Sequence, residues 1–147
     1  MNGGTKLIIP GLGGIYGALG PLSYAVARIA LGGIIMVHGY AKLFGGAAPI
    51  VANQLLAPMG FPAPLAWAYL LGILEFFGCA ALAVGFLTRP IALMLTVEMA
   101  IVTFFVQFPQ GYNEYLEYTL ILLALSAVYA ANGGGRYSLD HVIGREF

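Results

Sequence analysis

The chain has 147 residues, of which only 8 % are charged and 61 % hydrophobic, with a formal net charge of zero. A soluble domain carries about a quarter charged residues because its surface faces water. This composition therefore excludes a soluble domain and, with no basic run, argues against nucleic acid as a partner. It points to a single integral membrane domain.

The first twenty residues include "GLGGIYGALG". Pro10 and the glycines from Gly11 to Gly20 interrupt the apolar run that a signal peptide needs. The glycines are followed by no Gly-Lys-Ser/Thr, so they form no phosphate loop. The segment reads as a flexible or interfacial lead-in.

A helix needs about 20 residues to cross the hydrocarbon core. Four segments satisfy this, at about residues 22–44, 64–86, 90–108 and 114–131. The expected fold is an all-α, antiparallel four-helix membrane bundle comprising residues 1–147. The first span contains "RIALGGIIMVHGYAKLFGG", which places Arg28, His38 and Lys42 in an otherwise oily run. At about 100° per residue, Lys42 lies about 40° around the helix from each of the other two, so the three form one polar stripe. The link that follows is apolar and bounded by Pro49 and Gly60. It predicts a short interfacial helix at about 49–59, lying over one end of the bundle.

The second span carries Glu75 and Cys79. As the only cysteine, Cys79 can form no internal disulfide and reads as a small packing residue. The Ala68–Gly72 and Ala81–Gly85 pairs read as points of close helix packing. A very short turn leads to the third span, where Thr88 is the expected cap and Pro90 lies in the first turn. This span holds Glu98 and Gln107; the fourth begins with Glu114 and Glu117. Asn132 and Gly133 end it, leaving a polar tail over 132–147.

Four spans put both termini on one side. Lys6, Arg89, Arg136 and Arg145 fall on that side and Lys42 on the other. The positive-inside rule then places both termini in the cytoplasm.

A charge at the centre of a lipid-facing helix costs about 2.5–3.5 kcal/mol on insertion scales, so these groups should face inward and pair. Depth sorts the partners. Arg28 is expected with Glu98 or Glu75, as a structural pair. His38 and Lys42 are expected with Glu117 or Glu75. An imidazole beside carboxylates suits proton transfer, which makes His38, Glu75 and Glu117 the candidate catalytic groups. Lys42, Gln107 and Tyr118 are the candidate ligand-binding groups. Tyr40, Trp67, Tyr69 and Tyr115 are further candidate walls. No set of metal ligands stands out.

"RIALGGIIMVHGYAKLFG", "GFPAP", "EFFGCAALAVGFLTRP", "VEMAIVTFFVQFPQGY" and "LEYTLILLALSAVYAANGGGRYSLD" together resemble the DoxX family in order and spacing, over nearly all of residues 28–140. The most specific parts are the His-Gly-x-x-Lys of His38–Lys42, the glutamate-to-"GFLTR" segment and the closing Gly-x-Gly-x-x-Ser-Leu-Asp. The resemblance implies a small four-helix membrane protein. Some relatives are subunits of a thiosulfate:quinone oxidoreductase, others belong to thiol-redox and oxidative-stress systems, and many have no assigned activity. It thus implies a quinone ligand and a redox partner protein that supplies electrons, because no haem, flavin or iron–sulfur motif is visible. Where many relatives carry a histidine this chain has Gln107, which weighs against paired haem ligation or a dinuclear metal; His141 lies too far away to substitute.

Three functions remain open from these residues: a quinone-interacting redox subunit in an inner, cytoplasmic membrane, a membrane scaffold that docks soluble redox or stress proteins, and a small-solute or proton-coupled carrier. The chain lacks the repeated halves and broken helices common in carriers. A bundle this small is also a candidate homodimer.

Overall fold

A computed structural model describes residues 7–146. Lys6, used above to orient the chain, lies outside the described residues. The described chain is helical, without strands. A 3-10 turn, Pro10–Leu12, leads into α1, Gly13–Leu43. The short α2, Ala48–Val51, continues as a π-helical segment over Ala52–Leu56. Next come α3, Pro64–Val84, and α4, Thr88–Gln110. α5 covers Glu114–Asn132 and α6 covers Leu139–Ile143. The helical runs Pro10–Leu43, α3, α4 and α5 are each long and apolar enough to span a membrane. Their large apolar side chains cover the outside of the bundle, among them Val26, Ile29, Leu70, Phe77, Val97 and Ile121. With lipid as the surrounding medium, every backbone group must be satisfied within the chain, and helices achieve this.

α1 begins earlier than expected. The glycine-rich lead-in is helical from Gly13, with Pro21 inside the helix. Gly14, Gly17 and Gly20 have nothing packed against them, so this stretch extends beyond the bundle. Glycine costs about 1 kcal/mol per residue in an aqueous helix, but an apolar medium supplies no competing partner for the backbone.

The four long helices pair two by two. α1 packs along the whole of α3, and α4 along α5, whereas contacts between the pairs are sparser. One buried cluster joins the pairs through Leu31, Ile35, Cys79, Leu82, Leu95 and Leu122. Cys79 is fully buried here as a packing residue. A smaller cluster of Ala48, Ala52, Leu56 and Ala68 seats α2 on the start of α3.

The last segment is not a free tail. Ser138 and Asp140 are buried, at 3 % and 2 % exposure. The Asp140 carboxylate accepts from Leu87 N and Thr88 N, both at 2.9 Å, and so caps α4 from 52 residues beyond Thr88 in sequence. Thr88, the expected cap, does not serve as one; its hydroxyl is buried without a partner among the described residues. Leu87 lies at φ +50°, which is costly for a side chain of its size, and the Asp140 contact holds it there. Gly85 at φ +77° ends α3, with Phe86 N–H donating to Ala81 O at 2.9 Å. A Cβ on Gly85 would lie 2.5 Å from that of Ser138, so glycine admits the closing segment.

Arg28 belongs to this end and not to the interior of the bundle, which corrects the expected pairing with Glu98 or Glu75. It is 1 % exposed. Its guanidinium donates to the carbonyls of Gly134 and Tyr137, the latter at 2.7 Å. Tyr24 adds a hydrogen bond to Gly133 O at 2.8 Å, and Tyr129 donates to Tyr24 O at 2.8 Å. The reason is axial position. Arg28 lies at the level of Gly85, and Glu98 is ten residues into α4, about 15 Å further along the bundle at 1.5 Å per residue.

Candidate functional site

The sparse contact between the helix pairs leaves a cavity of about 420 Å³. Its walls come from all four long helices and from the α2 segment, which lies across it with Leu55, Leu56 and Met59. Most of the lining is apolar. The polar exceptions include His38, Lys42, Glu75, Glu98, Gln107 and Tyr118.

The local backbone around this cavity is irregular. α3 widens into a π-helical segment over Leu74–Gly78, which contains Glu75. α4 does the same over Val102–Gln107. The segment Ala52–Leu56 is a third such stretch. Each contributes residues to the cavity wall. A π segment displaces the residues that follow it around the helix, and such bulges concentrate at functional sites.

Gly39 explains how Lys42 reaches its partner. A Cβ at this position would lie 2.4 Å from Phe76 N and 2.7 Å from Glu75 C. α1 therefore touches the backbone of α3 at Glu75, and Lys42, one turn further along, is carried into the cavity wall. Its ammonium donates to both oxygens of Glu75, at 2.6 Å to Oε1. Gly32 makes a second close approach, 2.6 Å from Cys79 O for an added Cβ. In the His-Gly-x-x-Lys segment, glycine sets the helix spacing and lysine uses it. A Gly39→Val variant is expected to lose about 1–3 kcal/mol through overpacking. Its thermal unfolding temperature in detergent, compared with that of Gly33→Val, checks this, since Gly33 has nothing within 4 Å.

Glu98 lies against Glu75, its carboxyl within hydrogen-bond reach of the other carboxyl. It is 8 % exposed, and its Oε2 meets no donor among the described residues. Gln107 Oε1 is likewise buried without a partner. Lys42, Glu75 and Glu98 thus form one cluster of ionisable side chains on the cavity wall. Glu98, expected to pair with Arg28, is the second acid of this group.

Glu117 is not part of it. It is exposed and accepts a hydrogen bond from the Tyr112 hydroxyl. The buried residues of α5, Leu116, Thr119, Leu122, Ser126 and Tyr129, centre on the face about 180° from Glu117 at 100° per residue. Position in depth suggested Glu117; position around the helix excludes it. Tyr118, at the edge of the buried face, turns to His38 instead, with His38 Nε2 and the Tyr118 hydroxyl 3.3 Å apart.

His38 lines the cavity yet is exposed on its outer side, so it stands at the rim and not on the bundle axis. A shallow depression bounded by His38, Glu114, Tyr115 and Tyr118 adjoins it. The mouth therefore lies between α1 and α5, beside His38. Trp67 and Tyr115 also line the cavity; Tyr40 and Tyr69 do not, and face outward.

The fold and cavity define an all-α integral membrane bundle with a ligand-sized chamber whose wall carries one lysine and two carboxyl groups. The DoxX family model matches residues 23–107, and the chain belongs to the DoxX family. That match spans Arg28, His38, Lys42, Glu75, Glu98 and Gln107 and stops before α5. The chain is 30 % identical over 79 residues to the inner membrane protein YphA of Escherichia coli (strain K12), the match covering 54 % of this chain and 54 % of that relative. It thus spans about half the length of that relative. No solved structure matches it.

Proposed function

We propose that this chain is an inner-membrane redox subunit that takes a quinone-type ring from the lipid phase into the cavity and exchanges protons with it through Lys42, Glu75 and Glu98. The observation that carries this reading is the grouping of these three side chains on the wall of a largely apolar chamber of about 420 Å³. That volume suits a small ring and the start of its tail, since ligand sites run about 300–1,000 Å³. A hydrogen bond between two carboxyl groups requires a proton on one of them, so the Glu75–Glu98 contact is a place to store a proton beside the ligand. Lys42 balances the remaining charge. His38 and Tyr118 stand at the mouth, where a second proton can pass to the surface. Reduction of a quinone consumes two electrons and two protons. The chain's side chains handle the protons, and the electrons enter from a partner redox protein.

Organic extraction of the purified protein is the direct test. A quinone should be recovered at close to one per chain, and Val102→Trp, which fills the cavity wall, should remove it. Recovery no higher than that of a control membrane protein overturns the reading. Glu75→Gln keeps the shape but cannot titrate, and should abolish quinone turnover by the assembled complex while leaving extraction yields unchanged. Full turnover in Glu75→Gln removes Glu75 from the mechanism.

Sidedness belongs to the same proposal. Arg89, Arg136 and Arg145 lie toward the end of the bundle where α4 begins and α5 finishes, and the positive-inside rule puts that end in the cytoplasm. In a Cys79→Ala background, Arg145→Cys should be labelled only from the cytoplasm and Asn53→Cys only from the other side. Labelling of both from one side refutes this arrangement.

A further inference from the structure

The cluster of Lys42, Glu75 and Glu98 is closed toward one end of the bundle and open toward the other. On the side of Arg28 the cavity stops early. Its lining reaches Ile35 on α1, Glu75 on α3, Met94 on α4 and Leu122 on α5, and goes no further. Beyond these residues all four long helices contribute to a packed layer. Leu31, Cys79, Leu82, Leu95, Ser126 and Tyr129 are each 1 % exposed or less. Measured from Glu98 to Thr88, the layer is about 15 Å deep at 1.5 Å per residue. The hydroxyls of Ser126, Thr96 and Tyr129 in this stretch are engaged with backbone carbonyls, at 3.0, 2.7 and 2.8 Å. No charged residue falls between Glu75 and Arg89, or between Glu117 and Arg136. Arg28, at the far side of the layer, is held by the carbonyls of Gly134 and Tyr137. A bare charge in such a layer is heavily penalised, so a proton crosses it only along groups that both accept and donate. The single thiol of Cys79 cannot bridge that depth.

On the opposite side such groups run on to the surface. His38 lines the cavity and is exposed, and its Nε2 lies 3.3 Å from the Tyr118 hydroxyl. Glu114, in the first turn of α5, shares the adjoining depression with both. Imidazole and phenol each both accept and donate a proton. The titratable groups that interact with the two carboxyls are Lys42 of α1, Cys79 of α3 and Tyr118 of α5. The α2 segment contributes only apolar side chains to the cavity. We propose that Glu75 and Glu98 exchange protons with the His38 side of the membrane alone, through the chamber and the Tyr118–His38 pair. This rests on the reading that these carboxyls pass protons to a cavity ligand. The two protons of a two-electron quinone reduction then enter from that side, which is the outer face under the sidedness proposed above. Both leave there when a quinol is oxidised, its two electrons passing to the partner redox protein. Turnover therefore changes the proton content of one compartment and not of the other.

The experiment places the full chain in sealed proteoliposomes with the pH set separately on each side and the potential clamped by potassium and valinomycin. An impermeant maleimide on Arg145→Cys, in the Cys79→Ala background, reports which way the chain is inserted, so the two sides are defined without assuming a topology. The probe is dicyclohexylcarbodiimide, which enters from the lipid and reacts with protonated carboxyls. Mass spectrometry reads the modification of Glu75 and Glu98, as the acylurea or as the amide to Lys42. Within the titration range, raising the pH by one unit on the His38 side should slow the modification by about 3- to 10-fold, as the protonated fraction falls. The same change on the Arg28 side should leave the rate unaltered. A rate that follows the Arg28 side, or both sides equally, overturns the one-sided route and leaves the proton-exchanging cluster in place. A rate indifferent to pH on either side overturns both, because the carboxyls then do not titrate.

Discussion

Arg28→Leu is expected to lower stability by about 3–5 kcal/mol, because it removes two buried hydrogen bonds from a charged donor, each contributing about 1.5–3 kcal/mol. The guanidinium is almost completely enclosed and donates to Gly134 O and Tyr137 O. Leucine fills part of the space but leaves those carbonyls without donors. The loop they belong to positions Asp140, whose carboxylate closes the start of α4 at Leu87 and Thr88. Loss of Arg28 therefore loosens three helix ends together: α3 at Gly85, α4 at Leu87 and α5 at Gly133. Hydrogen exchange should show lost protection concentrated at residues 85–88 and 133–143. Arg28→Lys should rescue little, because a single ammonium cannot reproduce the planar fork that spans two carbonyls. Arg89→Leu is the control. Arg89 pairs with Glu146 on the surface, at 3.0 Å and about 40 % exposure on each side, where such a pair contributes about 0–1 kcal/mol. Thermal unfolding in detergent that places Arg28→Leu beside Arg89→Leu would refute the clamp.

The four spans were legible because length and hydropathy decide membrane insertion almost alone. The buried face of each helix was legible too, though only by angle. Glu98 continues the Ile91, Leu95 spacing of buried α4 residues, and Glu117 lies opposite the buried stripe of α5. Sorting acids by depth favoured Glu117 as a member of the site; sorting them by angle favours Glu98. The same reasoning moves His38 to the rim, because the buried face of α1 runs through Ala25, Arg28, Gly32, Ile35 and Gly39 and His38 lies about 90° from its centre. Other features had no local signal. The π-helical segments at Leu74–Gly78 and Val102–Gln107 arise from packing between helices, and propensity does not mark them. The closing segment, with its glycines, serine and aspartate, resembles a solvated tail in composition. Only the tertiary contacts of Asp140 and Arg28 show that it folds back as a cap.

Lys42→Met is the second large effect, again about 3–5 kcal/mol of lost stability. The lysine stands against two carboxyl groups that have no other cation within hydrogen-bond reach among the described residues. Methionine matches its length, and its Cβ keeps the contact with Gly72, so the loss comes from charge and not from volume. Two acids left together in an apolar chamber must take up a proton or draw in water, and either costs stability. Adding Glu75→Leu to Lys42→Met removes the second unpaired group and leaves Glu98 alone, able to remain neutral. The double variant should therefore recover most of the lost stability, as replacement of a whole buried ion pair by apolar side chains generally does. A double-mutant cycle measured by thermal unfolding would give a coupling of at least about 3 kcal/mol between Lys42 and Glu75. The function should not recover with the fold. With Glu75 absent, Glu98 has no partner with which to share a proton, and quinone turnover by the assembled complex should stay as low in the double variant as in Glu75→Gln. Recovery of both stability and turnover would show that the pair serves only to hold α1 against α3.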